Sequence, residues 1–523
     1  MFKKYPNATR KHLALWSYIL KEESIVGTNF IKSNGTVYVY LGMTREILTL
    51  SKRNTRLTTY LHRVYGVMAT DAIGKQVMHH MLSHGESHAI KGELRRFSVF
   101  DRATKTAYLS TYDGQMWKID GGTPSRVPNG TDGVYFVDDD GGTTCEPDIG
   151  PHGILLDKLT SINFAATGVG GMLPEQQRMA LTVWLFMLAF PDLMPTKPLL
   201  IVEGEPGSGK SACVQLLQLA LLGASKPMIL SKNKEDDFGV LLLRSPIAVF
   251  DNTDSFIEWV PDAICAYTTL GYWVKRKLYS DDDEAVIRPH AFVAVASKNP
   301  ASFRREDVAD RSIILRLTRR DTFKNFSDLQ QEILDQRPQL LGEFIWYLNE
   351  IVRHLRVYAD ETGQEETTRM ADFAGFARVI GERLSWDKND IVGLMDALTS
   401  ERDAFINEDD PLVDLLYKWL NYRGGGFSSV GRERTLHELH AELESQAQIN
   451  DIKTYYKSAR TLAQKIRSPH INRDFDVDIS IKDNRKIYRI WRKTDTKLLS
   501  VPSVGVTQRP ARDDDEGEGI KLL

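Results

Sequence analysis

LLIVEGEPGSGKSACVQLL, residues 199–217, begins as an apolar run, passes through a glycine-rich turn and ends in the first turns of a helix. Gly204, Gly207, Gly209, Lys210 and Ser211 satisfy the spacing G-x-x-x-x-G-K-[ST] of a phosphate-binding loop. Glycines let the backbone fold closely around an anion, so that successive N–H groups and the positive end of the following helix face phosphate oxygens. Glu205, Pro206, Ser208 and Ala212 complete the expected cradle. Lys210 is expected at the β- and γ-phosphates and Ser211 at Mg2+. The other reading is a glycine turn with no ligand. Strand, loop and helix follow in the order the motif requires, which favours the phosphate loop.

With 523 residues the chain exceeds one hydrophobic core, so two to four domains are expected. Apolar residues at 42% and charged residues at 26% are ordinary for a soluble globular protein. A net charge of −3 announces no global affinity for nucleic acid, so any such contact must come from local patches. Cys145, Cys213 and Cys265 are far apart and fit no metal spacing, and are expected as buried thiols in a reducing compartment. The apolar segment 179–190 is too short to span a bilayer, and MFKKYPNATRKH at the start lacks the apolar core of a signal peptide. These features predict a cytoplasmic protein with no membrane partner.

Residues 1–155 read as an α+β domain of unknown role. Residues 11–21, 52–65 and 72–82 carry helical patterns, and GTVYVYL (35–41) follows an Asn-Gly turn as a strand. FSVFD, TAYLST, QMWKID and GVYFVD are then expected as the strands of a small antiparallel unit. Lys52, Arg53, Arg56, His62 and Arg63 form either a nucleic-acid face or a solvated helix face.

Residues 155–194 read as helical. Beyond the glycine loop, PIAVFD (246–251) is an apolar strand ending in a carboxylate, and Asp251 there is placed to hold the water shell of Mg2+. A further buried strand, AFVAVA (291–296), leads into SKNP, where Asn299 is placed to orient an attacking water.

From about residue 198 to 317 the chain resembles the AAA+ ATPases, in particular the helicase-like branch of superfamily 3, MCM and phage or mobile-element primase–helicase proteins. FDNTDSFIEWVPDAICAYTTLG, KRKLYSDDDE, RREDVADRSIIL, RPQLLGEF and TRMADFAGFARVIG resemble the mobile-element group. The resemblance implies that Asp251 is the Walker B acid, Asn299 the sensor-1 residue and Arg369 the sensor-2 arginine. It also implies an arginine finger acting on a neighbouring subunit, with Arg305 the first choice, Arg311 the second and Arg304 a bystander. Many AAA+ proteins place a glutamate after the Walker B aspartate, but this chain has Asn252. An amide cannot accept the proton, and Asp254 is the nearest candidate base.

YWVKRKLYSDDDEAVIRP (272–289) suits a hairpin, and the resemblance places it in the central channel of a ring. Lys275, Arg276 and Lys277 would touch DNA phosphates there or pair with the acidic tip. The expected architecture is α/β: a P-loop AAA+ core at 156–325, a helical lid at 326–408 broken at Arg337-Pro338, a winged-helix domain at 409–493 and a disordered acidic tail at 494–523. The stretch 411–493 holds 16 Lys and Arg against 10 Asp and Glu. Arg460, Lys465 and Arg467 on its last helix, with Arg485 and Lys486 on the wing, are expected at DNA phosphates, the other reading being a structural winged helix used for protein contact. The whole reads as a homo-hexameric, ATP- and Mg2+-dependent DNA helicase replicating a phage or mobile element. It would hold a single strand in its channel and duplex on the winged helix. The alternative is a DNA-binding AAA+ switch or assembly factor, in replication initiation or defence, that hydrolyses ATP without unwinding.

Overall fold

The computed structural model describes residues 8–137, 142–166, 171–231, 235–270, 273–276, 284–287, 290–357, 370–407, 411–421, 432–450, 458–467, 471, 475–482 and 485–492. It is mixed α/β, with several sheets, and divides into two compact units, 1–408 and 409–523.

The first unit opens with α1 (Ala8–Ile25), β1 (Asn29–Ser33), β2 (Thr36–Tyr40), β3 (Ile47–Thr49), α2 (Thr55–Tyr65), α3 (Ala72–His88) and β4 (Ile90–Lys91). Asn34 and Gly35, at φ of 49° and 76°, supply the two left-handed residues that a tight β1–β2 turn needs. The sheet runs β3-β2-β1-β4. Trp16, Ile19, Val39, Leu57 and Met81 form the core against it. Arg56 pairs with Glu46, and Lys52, Arg53, His62 and Arg63 are exposed.

A second antiparallel sheet follows in sequence order: β5 (Ser98–Asp101), β6 (Thr106–Ser110), β7 (Gln115–Ile119) and β8 (Ser125–Pro128). Its fourth strand is not GVYFVD. Asn129 holds Phe136 through both amide atoms, at 2.8 and 2.9 Å, so the chain turns back and Phe136 bridges Arg95 instead. The inner residues Phe97, Phe100, Leu109 and Ile119 share one apolar cluster with the helices that follow.

After α4 (Ile154–Thr160) and α5 (Pro174–Met187) comes β9 (Leu199–Gly204), then α6 (Lys210–Leu222), α7 (Glu235–Arg244), β10 (Ile247–Asp251) and α8 (Val260–Leu270). β11 (Trp273–Arg276) and β12 (Glu284–Ile287) form an antiparallel pair, followed by β13 (Phe292–Ser297), α9 (Glu306–Ala309) and β14 (Ser312–Leu317). β10, β13, β9 and β14 lie side by side in that order, all parallel. Their continuous apolar runs reflect burial on both faces. Leu200, Val202, Val249 and Leu315 face a cluster with α5 and α6, while Leu199, Ile201, Phe250 and Ile314 face another with α7 and α8. The β11–β12 pair occupies the interval expected of the hairpin. Lys277 and residues 281–283 of the acidic tip lie outside the described residues, as do the side chains of Lys275, Arg276 and Glu284; Arg276 and Glu284 pair in backbone register.

α10 (Phe326–Val357), α11 (Ala371–Arg383) and α12 (Lys388–Asn407) complete the unit. The expected break at Arg337-Pro338 is absent, and α10 runs through it. Buried Arg337 donates to the carbonyls of Ala220 and Leu221 at the end of α6 and to Thr143 O at 2.9 Å, while Asp148 N donates to Pro338 O at 2.9 Å. This clamp holds the helix where proline removes one hydrogen bond. Arg369 lies outside the described residues. Of the three thiols only Cys213 is buried. Cys145 and Cys265 are partly exposed because they sit on segments at the surface of the core.

The second unit contains α13 (Pro411–Asn421), β15 (Arg432–Thr435), α14 (Leu436–Ile449), α15 (Ala459–Ile466), β16 (Phe475–Lys482) and β17 (Arg485–Arg492). Its sheet is β15-β17-β16, antiparallel, over Leu412, Trp419, Leu439, Leu462, Phe475 and Tyr488. β15, with the sequence RERT, carries no apolar alternation to mark it. The expected tail, 494–523, lies outside the described residues. Among the described residues no helix is long and apolar enough to cross a membrane.

Segment 144–150 crosses α10 at Gly342, where an added Cβ would sit 1.7 Å from Asp148 O. Gly→Ala in a free helix stabilises by about 1 kcal/mol. Here the sign reverses: Gly342→Ala is expected to destabilise by at least about 2 kcal/mol, read as a lower urea midpoint.

Candidate functional site

Parallel register sets the site. Leu317 pairs with Gly204, Ser297 with Glu203, and Asp251 with Ala296, so all four strands end at one edge and their loops meet there. Gly207 and Gly209 have φ of 84° and 85°, a left-handed conformation that bulkier residues rarely adopt. Gly209 is the N-cap of α6 and gives it no side-chain cap, so the first-turn N–H donors of Lys210, Ser211 and Ala212 are left to the loop.

Ser211 Oγ donates to Asp251 Oδ1 at 2.8 Å, and Gln215 Nε2 lies 3.5 Å from Asp251 Oδ2. The hydroxyl and the carboxylate chosen from sequence, 40 residues apart, are therefore in contact. Asn252 has φ of 55°, and its N–H lies 3.0 Å from Ala296 O and 2.9 Å from Asp251 Oδ1. Asparagine tolerates this left-handed conformation better than glutamate does. Asp254 Oδ1 accepts from Ser297 Oγ, from Lys298 N at 2.9 Å and from Asn299 N at 3.1 Å. Burial pushes its carboxyl up, but these bonds and the charge of Lys210 outweigh burial and hold it below its ordinary value. So engaged, Asp254 braces the loop that carries Asn299. Lys298 Nζ reaches Glu205 Oε2 at 3.0 Å, tying the same loop to the glycine turn.

The three arginines after Asn299 have distinct surroundings. Arg304 is largely covered, with Nη2 on Glu203 Oε1 at 2.8 Å and Nε 3.3 Å from Asn299 Oδ1. Arg305 is exposed and held by Asp307 and Asp262, each at 2.6 Å. Arg311 Nη1 donates to Asp307 O. Sequence reasoning set Arg304 aside because it could not see Glu203 beneath it.

Beside the glycine turn lies a cleft of about 910 Å³, lined by Ile162, Lys210, Leu216, Leu217, Arg320, Phe323, Ile333 and Gln336. Arg320 N lies 3.4 Å from Gly207 O, and Arg320 Nη2 donates to Ser161 O at 3.0 Å. This cation at the glycine loop was also missed, since TRRD in a loop carries no spacing signal. Among the described residues Gln336 Oε1, which is buried, has no hydrogen-bond partner. In the second unit Arg460, Arg467, Arg485 and Lys486 are exposed, and Lys465 is partly covered.

Fold and site together define a mixed α/β protein whose polar residues converge at the C-terminal edge of a parallel sheet. Residues 162–387 match the family described as the actinomycete integrative conjugative element replication protein. The match begins ahead of the glycine loop and ends after α11, spanning less than half of the chain. No curated protein matches. Among solved structures, the apo C-terminal region of NrS-1 is similar at 11% identity and a TM-score of 0.43, covering 92% of this chain and 99% of that one. An A-form apo structure of the same region gives 11% identity and a TM-score of 0.41, with the same coverage.

A depressed carboxyl contributes stability that is present above its unfolded pKa and lost as pH falls through the folded value. The free-energy gap between wild type and Asp254→Asn, from urea titrations, is therefore expected to be constant above about pH 5 and to shrink below it. A gap that persists unchanged to about pH 3 would show that the charge contributes nothing.

Proposed function

We propose that the chain is a replication protein of a mobile genetic element, and that its first unit is a P-loop AAA+ ATPase of the helicase-like branch with a helical lid. We propose further that its second unit is a winged-helix DNA-binding domain and that the protein works as a ring-forming, ATP-dependent DNA helicase. The observation that carries this reading is the Ser211–Asp251 pair beneath an uncapped helix N-terminus. A hydroxyl and a carboxylate 2.8 Å apart are a donor set suited to Mg2+, which prefers oxygen ligands and retains waters. Loop N–H groups and Lys210 would bind the phosphates, Asn299 would orient water, and the cleft past Gly207 would take the nucleoside. The bound Mg2+ would neutralise charge on the β- and γ-phosphates. The match of residues 162–387 to a replication family supports the cellular role.

In this reading Arg305, or Arg311 as second choice, reaches the γ-phosphate of a neighbouring subunit in a hexamer, with Asp262 and Asp307 holding Arg305 until then. Arg369 would act from the lid. Lys275, Arg276 and Lys277 would track a single strand, and Arg460, Lys465, Arg467, Arg485 and Lys486 would bind duplex phosphates. A second reading, an ATP-dependent assembly switch that turns over slowly and does not unwind, is favoured by one observation. Asp254 takes three donors on Oδ1, which lowers its basicity, and Asn252 cannot accept a proton, so among the described residues beside Asp251 the candidate base is a weak one.

The purified chain with Mg2+ and ATP is expected to displace a strand from a forked duplex, and Lys210→Ala and Asp251→Ala to abolish ATPase activity with the fold intact by circular dichroism. ATPase activity without displacement would select the second reading, and wild-type turnover in either variant would remove the site assignment. Arg305→Ala is expected to cost ~10³-fold in turnover with little change in nucleotide affinity. Mixing Arg305→Ala with Lys210→Ala subunits should restore activity where an intact loop meets an intact finger. No recovery in mixed rings would exclude Arg305 as the finger.

A further inference from the structure

We propose that Arg304 is a positioning residue that couples Asn299 to the last turn of α12, so that the candidate nucleotide site and this helix shift together. This rests on the ATPase reading above. The Arg304 side chain is 10% exposed and each of its three guanidinium nitrogens has a partner. Nη2 donates to Glu203 Oε1 at 2.8 Å, Nη1 to the Phe405 carbonyl at 2.8 Å, and Nε reaches Asn299 Oδ1 at 3.3 Å, while Cζ lies 4.6 Å from the centre of the Phe405 ring. Only a planar fork can meet three acceptors in three directions and stack on a ring as well.

The contact with Asn299 has a chemical consequence. Arginine Nε is a donor only, so the oxygen of the amide must face it. The Asn299 NH2 group, with both donors, is thereby turned away from Arg304 and kept for an anionic oxygen, the role a γ-phosphate sensor needs.

The network reaches α12 at two points. Glu203, the residue before Gly204, also pairs with Arg316 Nη1 at 3.2 Å, and Arg316 pairs through Nε with Glu401, which is 1% exposed. Glu401 and Phe405 are four residues apart and therefore share one face of α12. The alternating chain Arg304, Glu203, Arg316, Glu401 thus connects the glycine-loop strand, β14 and α12. A buried ion network is weak evidence for stability, because desolvation cancels much of its attraction; what it fixes is geometry. Displacing α12 must either break the Phe405 bond or draw Arg304, and with it the Asn299 amide.

The test uses the full chain, with Arg304→Lys keeping the charge opposite Glu203 and losing the fork. Its KM for ATP is expected within about 3-fold of wild type and its kcat at least about 10-fold lower. Asn299→Ala should behave alike, and the double variant should be no slower than Asn299→Ala alone, because both changes remove one function. A purely structural arginine would instead give multiplying losses, and that result overturns the proposal, as does an unchanged kcat in Arg304→Lys. Hydrogen exchange of the wild type supplies a measurement that needs no variant. Residues 401–407 are expected to exchange differently with ADP and with a non-hydrolysable ATP analogue, and identical exchange with both bound overturns the coupling. A wild type that binds neither nucleotide overturns the ATPase reading itself, and the coupling with it.

Discussion

The site depends on the register of four parallel strands. β9 lies between β13 and β14, and backbone pairing brings Gly204, Asp251, Ser297 and Leu317 to one edge. A slip of one residue would turn every strand's apolar set over to the other core. Two clusters, one on each face, resist that slip. The same packing that stabilises the sheet therefore brings Ser211 to Asp251 and Asp254 to the loop after β13. No side chain at the edge has to find its partner independently.

How much of this the sequence carried follows from what each element buries. Central parallel strands bury both faces, so IAVFD and AFVAVA are unbroken apolar runs that read plainly. Edge strands follow no such rule: RERT pairs with β17 through its backbone while showing no apolar period, and it was not legible. GVYFVD alternates as a strand should, yet the Asn129 amide captures Phe136 and diverts it. Pro338 reads as a helix break because the local rule is correct in isolation. Arg337 and segment 143–148, distant in sequence, override it.

At the site, residues marked by motif spacing or by the end of an apolar strand were named from sequence, and those marked by contact alone, Glu203 and Arg320, were not. Gly207 and Gly209 have the left-handed backbone at the positions the motif spacing gives them, and Lys210 and Ser211 open α6. Asn252 looked like a departure in chemistry; in the structure it is also a backbone residue, at a left-handed position where a glutamate would be strained. Arg304 and Arg305 are adjacent and identical in type, yet one is largely covered against Glu203 and the other exposed against Asp262 and Asp307. Composition cannot separate such a pair, since only the fold decides which guanidinium turns inward.

α10 has a mechanical consequence. Its first turns line the cleft through Phe326, Leu329, Ile333 and Gln336, and its far half is clasped by the β5–β8 sheet. There Asn349 and Arg353 bond Gly121 and Gly122, and Arg356 bonds Thr104 and Lys105. A helix of 32 residues is about 48 Å long, and its arm beyond the Arg337 clamp is about 30 Å, so a tilt of about 5° about that clamp moves the far end by about 3 Å. The β5–β8 sheet is bonded to that end and also, through Ser98, Phe100 and Arg102, to Leu188 and Asp192. α10 is thus a lever whose short arm touches the cleft and whose long arm ends on a braced sheet, so an adjustment at the cleft would be felt first as load on the bonds of Asn349, Arg353 and Arg356.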